Sequence, residues 1–288
     1  LGYLSAADGS LTSIKRGDPN YSKINQDQAS VGYQFQHHFN DTWEFRQNFR
    51  YTNISVDKHI LQPDGGLQAD NRTYLRRALA VYGDINQAGL DTQMVGKLKA
   101  GTTEHTVLLG VDWNHLQGNE RSYTGAAPSL DFLNPVYNQS IAEPQTPRGN
   151  YSQTTRRIGV YVQDQIKLNP NWIVTVGGRQ DDVKQTTNNR LNSTQSAQSD
   201  SVFSGRAGLT YLVGNGWAPY VSYAESFLPT GGMDINNNPF KPSKGKQIEA
   251  GIKFQPEGTR TLFTAALFDI RKTCLLYTSP SPRDQRGS

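Results

Sequence analysis

Residues 26–272 repeat one unit: a stretch in which apolar and polar residues alternate, then a break. A period of two marks β-strands with one apolar and one polar face. The breaks alternate too, a tight turn followed by a long polar connection. Strands joined in that way run up and down past a boundary, and a bilayer is such a boundary.

In the first clear strand, Ala29, Val31, Tyr33, Phe35, His37 and Phe39 share one face, and Ser30, Gly32, Gln34, Gln36 and His38 the other. After a turn at Asn40-Asp41, Trp43, Phe45, Phe49 and Tyr51 alternate with Glu44, Arg46, Asn48 and Arg50. Such a charged row is costly to bury in a dry sandwich and unremarkable against a wet lumen. Residues 57–71, with Pro63-Asp64-Gly65-Gly66 at the tip, predict a long polar loop. Residues 72–100 predict one long, bent strand. A reversal at 86–89 would put the connection after Asn119 on the same side as the tight turns, so a bulge near Gly89 is expected to supply the bend. Further tight turns fall at Gly101-Thr102-Thr103, Asn169-Pro170-Asn171, Gly214-Asn215-Gly216 and Pro256-Glu257-Gly258. Long loops are predicted at 118–150, 185–199 and 229–243. The count is roughly ten antiparallel strands.

Composition narrows this. The chain has 288 residues, 35% hydrophobic, with a formal net charge of +4 and a mean hydropathy of −0.65. No apolar run approaches the roughly 18 residues of a membrane helix, which excludes a helical membrane protein. A soluble all-β protein and a membrane barrel both remain, because a barrel hides its apolar band in every second residue. Bases are interleaved with acids, which argues against nucleic acid. The single cysteine, Cys274, allows no disulfide framework and no cysteine metal site. Leu1 reads as a cut within a longer protein.

Trp43, Trp172 and Trp217 each lie beside a tight turn, as in the interfacial girdle of an outer-membrane barrel; capping of a sandwich core is the other reading. Asp164 breaks the pattern by sitting on an apolar face. Near a rim, an acid there costs only about 0–1 kcal/mol. His37 and His38 point to opposite faces and His105 and His115 to opposite ends of a strand; with His59, all read as surface or rim residues, so no metal site is expected. No nucleophile elbow, phosphate loop or H-E-x-x-H motif occurs, and no enzymatic activity is expected.

The segment 218–227 (APYVSYAESF), followed by 242–253 (PSKGKQIEAGIK), resembles the late-barrel signature of TonB-dependent siderophore receptors, most closely the ferrichrome (hydroxamate) branch. Its distinctive positions are Tyr220, Ser222, Tyr223, Glu225, Ser226, Phe227, Lys244, Gly245, Gln247, Glu249 and Gly251. Val31-Gly32-Tyr33 through Trp43 with Arg46-Gln47-Asn48, and residues 159–165 with Val176-Gly177-Gly178-Arg179, agree in order and spacing. The resemblance covers nearly all of residues 1–273. It implies a partial transmembrane up-and-down β-barrel, roughly ten of 22 strands, without the plug domain and TonB box that precede such a barrel. It also implies a Gram-negative outer membrane, a ferric siderophore as transported ligand rather than bound cofactor, and the TonB–ExbB–ExbD complex as partner. In this family, aromatic residues of extracellular loops cradle the siderophore. Tyr3 and Tyr123 sit at corresponding places, whereas residues 57–71 hold no aromatic where the ferrichrome branch has tyrosines.

The pattern stops after Thr273. Residues 274–288 resemble the in-frame translation of a transposon sequencing adapter, and are expected to be a non-native, disordered tail; a divergent loop is the other reading. Three rivals stand beside the siderophore receptor: a diffusion porin, a barrel-embedded hydrolase and a soluble β-sandwich binding protein.

Overall fold

The computed structural model describes residues 3–5, 11–229 and 242–273. A short hairpin, β1 (Tyr3–Ser5) and β2 (Leu11–Lys15), precedes the main sheet. The sheet's long strands are β3 (Lys23–His38), β4 (Trp43–Leu67), β5 (Thr73–Ala100), β6 (Thr103–Ala126), β8 (Thr146–Lys167), β9 (Trp172–Asn189), β10 (Thr194–Tyr211), β11 (Trp217–Leu228), β12 (Ser243–Phe254) and β13 (Phe263–Lys272). Each pairs antiparallel with the next, and the two-residue β7 (Leu130–Asp131) adds to β5. Among the described residues the sheet is all-β, up-and-down and unclosed, with β3 and β13 as its edges. Every residue of those two strands is exposed.

The tight turns are built from short polar side chains. At two of them an asparagine carboxamide accepts the backbone N–H groups two and three residues on. Asn40 accepts from Thr42 at 2.9 Å and from Trp43 at 2.8 Å. Asn169 accepts from Asn171 at 2.9 Å and from Trp172 at 3.0 Å. Gly214, Asn215 and Gly216 hold φ of 102°, 49° and 82°. A β-branched residue would resist such a left-handed run.

The register carries the face assignment across the sheet. Val31 lies opposite Tyr51, Phe49 opposite Leu90, Leu90 opposite Trp113 and Trp113 opposite Ile158, so the apolar residues form one continuous face. The other face, with Arg50, Asp91, Asp112, Tyr161, Arg179 and Arg206, lines a concave trough of about 1250 Å³ that reaches from β3 to β11. An apolar convex side and a polar concave side are the wall of a membrane barrel with a wet lumen.

Four expectations are corrected. Residues 57–71 are mostly strand, since β4 runs to Leu67. The pair β9 and β10 spans nearly all of 185–199, leaving a turn at 190–193 with Ser193 at φ 56°. Strand β6 continues to Ala126, so the connection predicted at 118–150 shrinks to 127–145. Residues 72–100 do form one strand, but without a bulge at Gly89; the irregularity lies in β4 between Pro63 and Gly66. One cause underlies the strand errors. In β4 the apolar positions are odd up to Tyr51 and even from Ile54, through Val56 and Ile60. In β5 they switch from Leu90 and Met94 to Ile85, Val81 and Leu79, and in β6 from Trp113 to Leu116. The ladders keep their register there, so the chain does not slip. The composition of each face changes instead, where the strands leave the hydrocarbon layer. The predicted loop at 229–243 and the tail from Cys274 lie largely or wholly outside the described residues.

Above the apolar band, residues 127–145 lie as a strap across β4 and β5. Leu130, fully buried, packs with Tyr74, Ile14, Leu67, Phe132 and Tyr137, while Tyr21, Leu61 and Ala78 hold Ala127 and Ile141. Arg72 grips Asp131 with two nitrogens, at 2.6 and 3.0 Å. At the other end Glu143 accepts from Tyr82 at 2.6 Å and meets His59 Nε2 at 3.0 Å. Burial raises the Glu143 carboxyl, but those two partners outweigh burial and hold it below its ordinary range.

Candidate functional site: the lumen wall

The lumen-facing positions of β5 to β10 form a belt of acids, bases and tyrosine. Arg179 on β9 bridges Asp181 on its own strand, through Nε at 2.6 Å, and Asp112 on β6. Asp112 also faces Arg157 on β8 at 3.7 Å. Tyr161 donates to Asp91 on β5 at 2.6 Å. Arg179 lies over the Tyr161 ring, 5.4 Å from its centroid, where the negative ring face attracts the cation. Gln93 donates to Asp91 at 2.6 Å, and Arg206 on β10 reaches Gln163 on β8.

Two glycines make room for this. Gly110 lies opposite Tyr161 in register and Gly159 opposite Asp181. A Cβ at Gly110 would collide with the Tyr161 ring, and one at Gly159 with the Arg179 guanidinium. Only Gly allows side chains to lie flat against the wall at those points. The belt went unnoticed in the sequence, although its signal was there: glycine on the polar parity facing a large polar residue one strand away. Among the described residues no cluster of three or more His, Cys, Asp or Glu could hold a metal ion. The wall can hydrogen-bond and can solvate charge.

Residues 2–288 match the family described as TonB dependent receptor-like, beta-barrel. The chain belongs to that family. The barrel segment is 35% identical over 271 residues to the ferrioxamine B receptor of Salmonella typhimurium, covering 93% of this chain and 38% of that one. It is 32% identical to the ferrichrome outer membrane transporter/phage receptor of Escherichia coli, covering 93% and 39%. Its fold is similar to the siderophore receptor PiuA of Acinetobacter baumannii, with a TM-score of 0.78 at 18% identity, over 90% of this chain and 42% of that one. The ferripyoverdine receptor of Pseudomonas aeruginosa gives 0.79 at 20%, over 94% and 36%. The chain thus spans about two fifths of the length of the curated relatives. These relatives are receptors and transporters.

The residues expected from the sequence to carry the family signature lie on β11 and β12, which pair along their length. Tyr220 and Ser222 lie opposite Gly251 and Glu249 on the lumen side, and Tyr220 donates to Glu249, which also accepts from Gln247 at 2.8 Å. Gly251 has no Cβ to displace the Tyr220 ring. On the other face Tyr223 donates to Glu225 at 2.7 Å, with Lys246 3.5 Å from the same carboxylate. Ser226 faces Gly245 and Phe227 faces Lys244 in the same ladder. The predicted ligand tyrosines are not brought together. Tyr123 lies in β6 rather than in a loop, on the parity away from the lumen, with its ring edge-on to Tyr82 at 6.3 Å. Tyr3 lies in β1, opposite Lys15.

Proposed function

We propose that this chain is part of the wall of an outer-membrane receptor that imports a ferric siderophore of the hydroxamate type, powered through TonB–ExbB–ExbD. The observation that carries this reading is 35% identity to ferrioxamine receptors over 93% of the chain. The charged belt supports it as the kind of surface a protein domain or a polar solute can pass against. A passive porin would share the wet wall, yet the relatives are named as receptors for iron chelates and not as diffusion channels. The ligand contacts belong on the lumen-facing parity, so Tyr123 is not one of them in this reading. Iron enters as cargo, held by its own chelator.

Binding tests the proposal. Full-length receptor, purified in detergent, is titrated with ferric ferrioxamine B and followed by quenching of tryptophan fluorescence. Saturable binding that iron-free ferrioxamine B does not match is expected. No saturation by any ferric hydroxamate would overturn the reading.

A further inference from the structure

Above the membrane band the lumen face of β4, β5 and β6 turns aliphatic, and we propose that this patch seats the alkyl spacers of a ferric hydroxamate chelate. The proposal rests on the siderophore reading above and adds to it a subsite. Its residues are Ile54, Val56, Val81, Ile85 and Leu116. Ile54 lies directly opposite Ile85, and Leu116 opposite Gln87, one lumen-facing position along β5 from Ile85. Val56 faces Gly83, and Gly83 brings no side chain between Val56 and Ile85.

The patch sits where a ligand would arrive. Ile54 is about eleven residues beyond Trp43; at roughly 3.3 Å per residue and a strand tilt near 45°, that is about 26 Å, the top of the roughly 25 Å apolar band. Its side chains are partly covered, and Ile85 remains 37% exposed. None belongs to the two buried clusters beneath the strap. Lumen positions nearer the tight turns on the same strands include Glu44, Arg46, Asn48, Arg50, Asp91 and Asp112, with Val95 and Leu108 as isolated aliphatic neighbours at the turn end, so a cluster of five aliphatic residues at this height is a local change.

Chemistry selects the occupant. The patch holds no aromatic ring, so it offers dispersion contact to flexible methylene chains rather than stacking to flat catechols. Its fringe is polar and matched to chelate oxygens. Gln26 and Gln28 of β3 lie opposite Val56 and Ile54. Lys58, opposite Val81, forms no ion pair among the described residues and complements the negative hydroxamate oxygens. Glu120 lies across Gly83 and disfavours a ligand of strong negative charge.

The test uses full-length receptor and two probes with the same iron-binding group: ferric ferrioxamine B, which carries alkyl spacers, and the ferric acetohydroxamate complex, which carries none. Ile54→Asn and Ile85→Asn should each weaken ferrioxamine B binding roughly tenfold or more and leave competition by ferric acetohydroxamate unchanged. Ile85→Ala keeps the site apolar and guards against misfolding of the polar variants; it should weaken ferrioxamine B alone, by severalfold. Ile85→Val should bind as wild type. Unchanged ferrioxamine B affinity in the variants, or equal loss for both probes, would overturn the subsite while leaving the receptor reading intact. Failure of the wild type to bind either probe would overturn that reading and the subsite with it. Lower thermal stability with normal affinity would mean that protein, not ligand, covers the patch.

Discussion

Asp164, an acid on the apolar face, is partnered. His105 on the neighbouring strand meets it through Nδ1 at 2.7 Å, and Thr103 lies 3.0 Å from the other ring nitrogen. The diagonal pairing of β6 with β8 makes this contact, and alternation along either strand alone hides it. His105→Leu would leave a half-buried carboxylate facing lipid without its partner. The expected cost is about 1–3 kcal/mol, read as a lower urea midpoint for the full-length receptor in micelles. The double variant His105→Leu, Asp164→Leu should recover most of it, and an unchanged midpoint in the single variant would refute the pairing. Outside the membrane, Asp131 is held down at about 2, first by the Arg72 hydrogen bonds and then by the backbone N–H of Leu133 and Asn134. The folded value lies below the unfolded one near 3.8, so this contribution is complete above about pH 4 and is lost as pH falls towards about 2. Pepsin nicking of residues 127–137 should therefore rise steeply over that window. In Arg72→Ala the strap should be cut more readily even at its upper end.

At the scale of elements, the membrane half of each strand was legible and the outer half was not. Alternation with a fixed apolar face needs one nonpolar neighbour, lipid, along the whole strand. Between turns such as Asn40 and Asn169 that condition holds, and strand order, parity and the single long β5 followed from it. Past Tyr51 the outer face meets water or the strap, the apolar positions cross to the lumen, and Asp57, Asp64 and Gly65 look like loop. The lumen belt was hidden for another reason: Arg179, Asp112 and Tyr161 are distant in sequence and meet only through register. The interlock of β11 and β12 was visible as a motif, though its geometry was not. Among the described residues β3 and β13 each lack a partner on their outer edge, and this implies a prediction for the chain in isolation. Two fully exposed edges with Val31, Phe35, Leu267 and Phe268 bare template further pairing. The isolated chain should sediment as aggregates when refolded into lipid vesicles, and stable monomeric insertion with ferric ferrioxamine B binding would contradict this.

On the scale of the whole molecule, a sheet apolar outside and charged inside has a purpose only when closed around something. The chain spans about two fifths of the length of its curated relatives. Its belt from Asp91 to Arg206 would face whatever occupies the lumen, and its aliphatic patch would face the ligand's entry. Substituting Gly159→Val would push Arg179 off the wall. It is expected to destabilise the full-length barrel by about 1–3 kcal/mol, seen as earlier loss of the heat-resistant folded band on gels. Import itself is the decisive property. Radio-iron uptake from ferric ferrioxamine B should be measured in iron-starved Gram-negative cells lacking their own hydroxamate receptors, with the full-length gene supplied. Uptake that requires both the gene and an intact TonB is predicted. Uptake that persists without TonB would identify a passive channel, and its absence with the receptor folded in the outer membrane would contradict hydroxamate import.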